Sequence, residues 1–197
     1  MKINPYIFRG YDLRGIVNQD LTPEIVETIG RCYGTYLKRH GVSEALVGRD
    51  SRQTSPIYSQ SLIAGFNFAG VDTIDIGLNL VGIFYWAQHF LNRRGGGYIS
   101  ASHNPAQFNG FKLANDFSET LVSEGIQDLR KMVETDDFEK AVNPGKNEER
   151  NIRESYFEDI LKRVLINKKF KVVVDSRHST AGVIAPELFR RAGCEVI

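Results

Sequence analysis

One stretch, Gly95 to Lys112 (GGGYISASHNPAQFNGFK), holds the residues best placed to do chemistry. Ser102, His103 and Asn104 stand together between a short strand at Tyr98-Ile99 and a return strand at Phe111 to Leu113. Asn104-Pro105 and Asn109-Gly110 are turn signals, and the Gly95 to Gly97 run reads as a turn whose backbone angles a side chain would forbid. Ser100 and Ala101 are small, so the Ser102 hydroxyl stays reachable for a phosphoryl group. Lys112 lies ten positions on, pointing away from its apolar neighbours Phe111 and Leu113. A hydrolase built on Ser102 would need a base facing the nucleophile. Adjacent residues in an extended stretch point apart, which makes His103 a poor base, and the chain has no Gly-x-Ser-x-Gly elbow. His103 therefore reads as a loop residue able to reach phosphate or sugar oxygens.

Two further polar segments could serve the same chemistry. Phe8 to Val17 (FRGYDLRGIV) places Tyr11 and Arg14 in a Gly-flexed strand, and arginine offers a planar fork matched to phosphate. Gly48 to Arg52 (GRDSR) lies at the carboxyl end of a short strand, where open α/β sheets place ligands. Its plainer reading is a structural ion pair of Asp50 with Arg49 or Arg52.

Ser-His-Asn-Pro followed by Asn-Gly-Phe-Lys at this spacing resembles the α-D-phosphohexomutases, the phosphoglucomutase and phosphomannomutase family. The resemblance extends to Tyr11 and Arg14 and to the Gly-Arg-Asp segment. Ala106, Gln107 and Phe108 depart from the family's motif at the loop turn, and Gly10 departs from the small residue usual there. The resemblance implies that Ser102 is a phosphoserine that gives its phosphoryl group to a hexose monophosphate and regains one from the bisphosphate. Arg14 and Lys112 would neutralise charge or move protons, with Tyr11, His103 and Asn104 lining the site. Implied cofactors are Mg²⁺, with Ser102 giving one metal-bound oxygen, and a glucose 1,6-bisphosphate-type activator. The implied partner is a hexose phosphate.

The elements that must position these residues are those of an α/β domain with a mixed, mainly parallel sheet flanked by helices. Thr22-Pro23 starts a helix with Ile25, Val26, Ile29, Tyr33, Tyr36 and Leu37 on one face. Ala45 to Val47, Ser55 to Ala69 and Val71 to Ile76 form a strand-helix-strand unit with a right-handed crossover. A shorter helix over Gly82 to Asn92 precedes the serine loop. Residues 1–140 form the first domain, charge-rich residues 141–150 a linker, and residues 151–197 the start of a second, similar α/β domain. There a strand at Phe170 to Val174 runs into Asp175-Ser176-Arg177-His178-Ser179, where the family has a Gly-Asn-Gly-like turn.

The family's Asp-Gly-Asp-x-Asp-Arg metal loop, its sugar-selecting loop and its Ser-Gly-Thr phosphate loop are absent from this sequence. The 197 residues therefore read as an N-terminal fragment of a phosphohexomutase, inactive by itself, with self-association through the shortened second domain. The alternative is a non-catalytic module that keeps the loop shape and binds sugar phosphate or a partner chain. A net charge of +1 with 25% charged residues argues against nucleic acid as a partner, and no apolar run reaches the roughly 18 residues of a membrane span. Cys32 and Cys194 read as free buried thiols, which suits a cytoplasmic protein.

Overall fold

In the computed structural model, which describes residues 3–197, β1 (Leu13–Ile16) leads into α1 (Pro23–Arg39). The Thr22 hydroxyl caps α1 by accepting from the Ile25 N–H, a contact worth about 1 kcal/mol. There follow β2 (Glu44–Arg49), α2 (Ser55–Phe68), β3 (Asp72–Leu78), α3 (Val81–Phe90), β4 (Gly95–Ile99) and β5 (Phe108–Asp116). The short β6 (Glu119–Thr120), α4 (Ser123–Glu134) and β7 (Asn147–Glu149) complete the first sheet and its helices. Beyond them lie α5 (Arg153–Arg163), β8 (Lys171–Val172), α6 (Ala185–Arg191) and β9 (Glu195–Val196).

The sheet runs β1-β5-β4-β2-β3-β7, with β6 on the side of β5. β4, β2, β3 and β7 are parallel, while β5 is antiparallel to both β4 and β1. Side chains alternate across a strand, so each strand feeds two cores. Ala45, Val47, Ile99, Phe111 and Leu113 pack under α1, α2 and α4. Leu46, Ile74, Ile76, Tyr98 and Ala114 pack under α3 and α5. Each buried Leu or Phe side chain contributes roughly 1.5–3 kcal/mol, which keeps β4 and β5 fixed between the two helix layers.

Two expectations change here. Gly95 to Gly97 form no turn: they are the buried first half of β4, without positive φ. What they provide is space, since a Cβ on Gly97 would meet Leu62 Cδ2 at 2.6 Å and one on Gly96 would meet the Phe84 ring at 2.8 Å. The segment read as a linker also contributes structure, because β7 pairs with β3 as an edge strand of the first sheet.

The second unit is docked at one end and open at the other. Ile152 and Phe157 are buried with Ile184 against the α3 layer, and Trp86 Nε1 donates to Asp159 at 2.8 Å. Only two residue pairs join β8 to β9. Phe170 and Val173 stay exposed, at 53% and 72%.

Candidate active site

β4 ends at Ile99 because the chain turns sharply at Ser102, which has φ +56. That left-handed angle is uncommon for a residue with a side chain and costs about 1 kcal/mol or more. The Ser102 N–H is satisfied by the Ser100 hydroxyl at 2.9 Å, and the Ser102 side chain is exposed. The same turn brings Ser102 Oγ and His103 Nδ1 to 3.4 Å. This corrects the expectation that the two side chains point apart, which assumed extended backbone. At that length the contact is a weak hydrogen bond, short of an activated pair.

Asn104 is half-buried, and its Oδ1 accepts from Arg14 Nη1 at 2.7 Å. Arg14 Nη1 also donates to the Ala101 carbonyl at 3.3 Å, while Nε and Nη2 are held by Asp12 at 2.9 and 2.7 Å. Arg14 is thus a buried residue of β1, 6% exposed, that grips the serine loop directly. Its ladder partner Gly110 lies two residues before Lys112 on β5, so Arg14 stands on the same face of the sheet as Lys112 and meets the loop on either side of Ser102. Its nitrogens are taken up by Asp12 and by the loop.

Lys112 stands opposite Tyr98 in the β4–β5 ladder and so points to the α3 side of the sheet. Its ammonium lies 4.9 Å from the ring centre of Tyr11, a cation–π contact, and Tyr11 is 54% exposed. Ser102, Asn104 and Lys112 line one open cavity of about 1080 Å³. Arg177, His178 and Thr180 of the second unit form another part of its wall. Ser51 fixes that placement: its N–H donates to Thr180 Oγ1 at 3.0 Å and its hydroxyl to the His178 carbonyl at 3.4 Å. Tyr98 lies on the cavity floor with its hydroxyl donating to Asn79 O; burial, then Asp50, pushes its phenol well above the usual range.

The reading of the sequence missed how the β2–α2 loop serves the site. Asp50 does pair with Arg52, as the plainer reading had it, at 3.3 Å. The same guanidinium also reaches carbonyls of the serine loop that stand 50 to 56 residues away. The local signal was only the position of Arg52 at the carboxyl end of a strand. A cation at this cavity wall suits a phosphate, because a phosphoserine carries about two negative charges near neutral pH. Among the described residues no three His, Cys, Asp or Glu side chains converge as metal ligands. Asp50, the cavity's carboxylate, is taken up by Ser55 Oγ, the Arg52 N–H and the Arg52 guanidinium. These residues do not complete a magnesium site.

Residues 5–140 match the family model described as phosphoglucomutase/phosphomannomutase, alpha/beta/alpha domain I. The chain belongs to the phosphoglucomutase/phosphomannomutase family. It is 39% identical over 191 residues to a phosphomannomutase/phosphoglucomutase of Pseudomonas putida, covering 97% of this chain and 41% of that protein. A phosphoglucomutase/phosphomannomutase of Thermococcus kodakarensis is 35% identical over 199 residues, covering 97% of this chain and 44% of the relative. A crystal structure of a phosphoglucomutase/phosphomannomutase family protein from Burkholderia thailandensis superposes on the whole chain with a TM-score of 0.93 at 29% identity, using 44% of its own length. The chain therefore spans less than half the length of the relatives it matches, and the part matched by the family model is domain I.

Proposed function

We propose that this chain carries the phosphoserine part of a phosphohexomutase that interconverts hexose 1-phosphate and hexose 6-phosphate. The observation that carries the reading is the exposed Ser102 hydroxyl at the turn of a rigidly held loop, in one cavity with Lys112, Arg177 and His178. In the acceptor step Ser102 Oγ attacks a phosphorus of a hexose bisphosphate. A P–O bond to serine forms, the P–O bond to the sugar breaks, and the serine proton leaves to the sugar oxygen or to solvent. The reverse step, with the sugar turned over, returns a phosphoryl group to the other end of the hexose.

Little covalent work falls to the protein in such a transfer, so positioning and charge neutralisation dominate. Lys112 places one ammonium at the cavity wall, and Arg177 adds a guanidinium with no side-chain hydrogen bond or ion pair among the described residues. Arg14 and Asn104 hold the loop, with His103 and Tyr11 beside the phosphoryl and the lysine. The resemblance also calls for Mg²⁺, to which a Ser102 phosphate would offer one oxygen. The other ligands are not supplied by the described residues, and no step is routed through the metal. For that reason the chain by itself is expected to accept phosphate poorly and to fall short of the full cycle.

The test is intact mass and peptide mapping after incubation with glucose 1,6-bisphosphate, on this chain and on the full-length protein. Phosphate on Ser102 of the full-length protein, lost in Ser102→Ala together with turnover, is the expected result. Phosphate found only elsewhere, with Ser102→Ala turning over normally, would refute the reading. Binding of hexose phosphate without any phosphorylation would point to a non-catalytic module instead.

A further inference from the structure

We propose that Arg52 is the positioning residue of the serine loop, the part that holds Ser102 in its left-handed, phosphate-accepting conformation; this rests on Ser102 being the phosphoryl carrier. One guanidinium gathers four loop carbonyls. Nη1 donates to Pro105 O and Phe108 O, both at 2.9 Å, and Nη2 donates to Ser102 O at 3.0 Å and Asn104 O at 2.6 Å. Its remaining N–H, on Nε, lies 3.3 Å from Asp50 Oδ2. Four of the five N–H donors of the arginine go to these carbonyls, and the fifth, on Nε, is buried beside Asp50 without a hydrogen bond, so none faces a ligand although Arg52 lines the cavity. That separates a positioning role from substrate contact.

The clamp is itself anchored at both ends of the loop. Asp50 Oδ1 accepts from the Arg52 N–H at 3.0 Å and from Ser55 Oγ at 2.6 Å. Ser55 Oγ in turn lies 3.1 Å from Nδ2 of Asn109, a fully buried residue of β5 just past the loop. The C-terminal flank of the 102–108 turn thus ties to the first turn of α2, and the N-terminal flank ties to Asp50, whose N–H donates to the Ile99 carbonyl at 3.0 Å. Two physical consequences follow. The carbonyl of Ser102 itself is one of the four acceptors, so the costly positive φ is offset where it occurs. Four carbonyl dipoles that would repel an incoming dianion are turned onto a cation instead.

A shift of about 1 Å in a reacting group costs on the order of 100-fold in rate, and this sets the size of the expected effect. The experiment compares wild type with Arg52→Lys and Arg52→Gln in two measurements. On this chain, hydrogen exchange is followed at the amides of residues 102–108 and in α1 and α2. On the full-length protein, kcat and KM are determined separately. Lysine keeps the charge but cannot span four carbonyls. The expected result for Arg52→Lys is loop exchange about 10-fold faster with α1 and α2 unchanged, and kcat down about 100-fold with KM nearly constant. Unchanged loop exchange overturns the proposal. So does equal loosening of α1, α2 and loop in both variants, which marks a general scaffold, and so does a raised KM with kcat kept, which marks ligand contact. If the wild-type protein never phosphorylates Ser102, the functional reading fails, while the exchange comparison still decides whether Arg52 sets the loop.

Discussion

Arg14 shows how one side chain can hold a charge pair and a functional loop together. Asp12 is 3% exposed and its carboxylate is gripped by two Arg14 nitrogens. Arg14→Ala would leave that carboxylate buried without its cation, a loss of about 3–5 kcal/mol, measurable by urea denaturation. Adding Asp12→Ala should recover much of it, because no orphaned charge then remains. Cys32 gives a pH-dependent case. Burial, then Asp136 and Asp137, pushes its thiol from 9.0 up to about 12. Between those values the unfolded chain ionises while the folded one does not, so this contribution lowers stability as pH rises through that window. Below pH 9 it has no effect. The difference in urea midpoint between wild type and Cys32→Ala should stay constant below pH 9, where it reflects packing alone, and shift in favour of the variant on the alkaline side.

At the scale of elements, two glycines of adjacent strands differ in what they protect. A Cβ on Gly97 meets the tip of a flexible leucine, whereas one on Gly110 would fall 2.1 Å from the Leu13 carbonyl oxygen. Gly110 is the ladder partner of Arg14 in the β1–β5 pair. Gly97→Ala should therefore cost about 1–3 kcal/mol through local repacking of Leu62. Gly110→Ala should cost more, since backbone must move, and it should pull Arg14 away from Asn104 and Ala101. Thermal melting ranks the two variants. Phosphorylation of Ser102 in the full-length protein should fall further in Gly110→Ala than in Gly97→Ala at matched folded fraction.

Across the whole molecule, stability is uneven. The first sheet carries both buried cores, and α5 joins one of them through Ile152, Phe157 and the Trp86–Asp159 bond. Residues 164–183 have little such cover: Leu165 is 84% exposed, and β8 has one short partner strand. Hydrogen exchange should show slow amides in β2, β4 and α1, intermediate protection in α5, and fast exchange from 164 to 176. The exposed Leu165, Phe170 and Val173 also favour concentration-dependent association of this chain, which sedimentation velocity would detect. A monomer at high concentration with slow exchange throughout residues 151–197 would contradict both expectations.

The sequence by itself determined the features that act over a few residues. Thr22-Pro23 and the apolar face behind it define α1, the βαβ unit follows from its turn residues and periodicity, and the motif from Ser102 to Lys112 marks the loop and the family. Those signals are local because capping, side-chain alternation and turn chemistry are local. What only the tertiary structure decided are the partners far along the chain. The glycine run reads as a turn until α2 and α3 press on both faces of β4. The charged residues 147–149 read as linker until β3 offers them an edge. Arg14 meets Asn104 across 90 positions, and Arg52 meets the loop across 50 or more. A guanidinium can serve substrate, ion pair or backbone equally well by its chemistry, and the surroundings it folds into decide which of these it does.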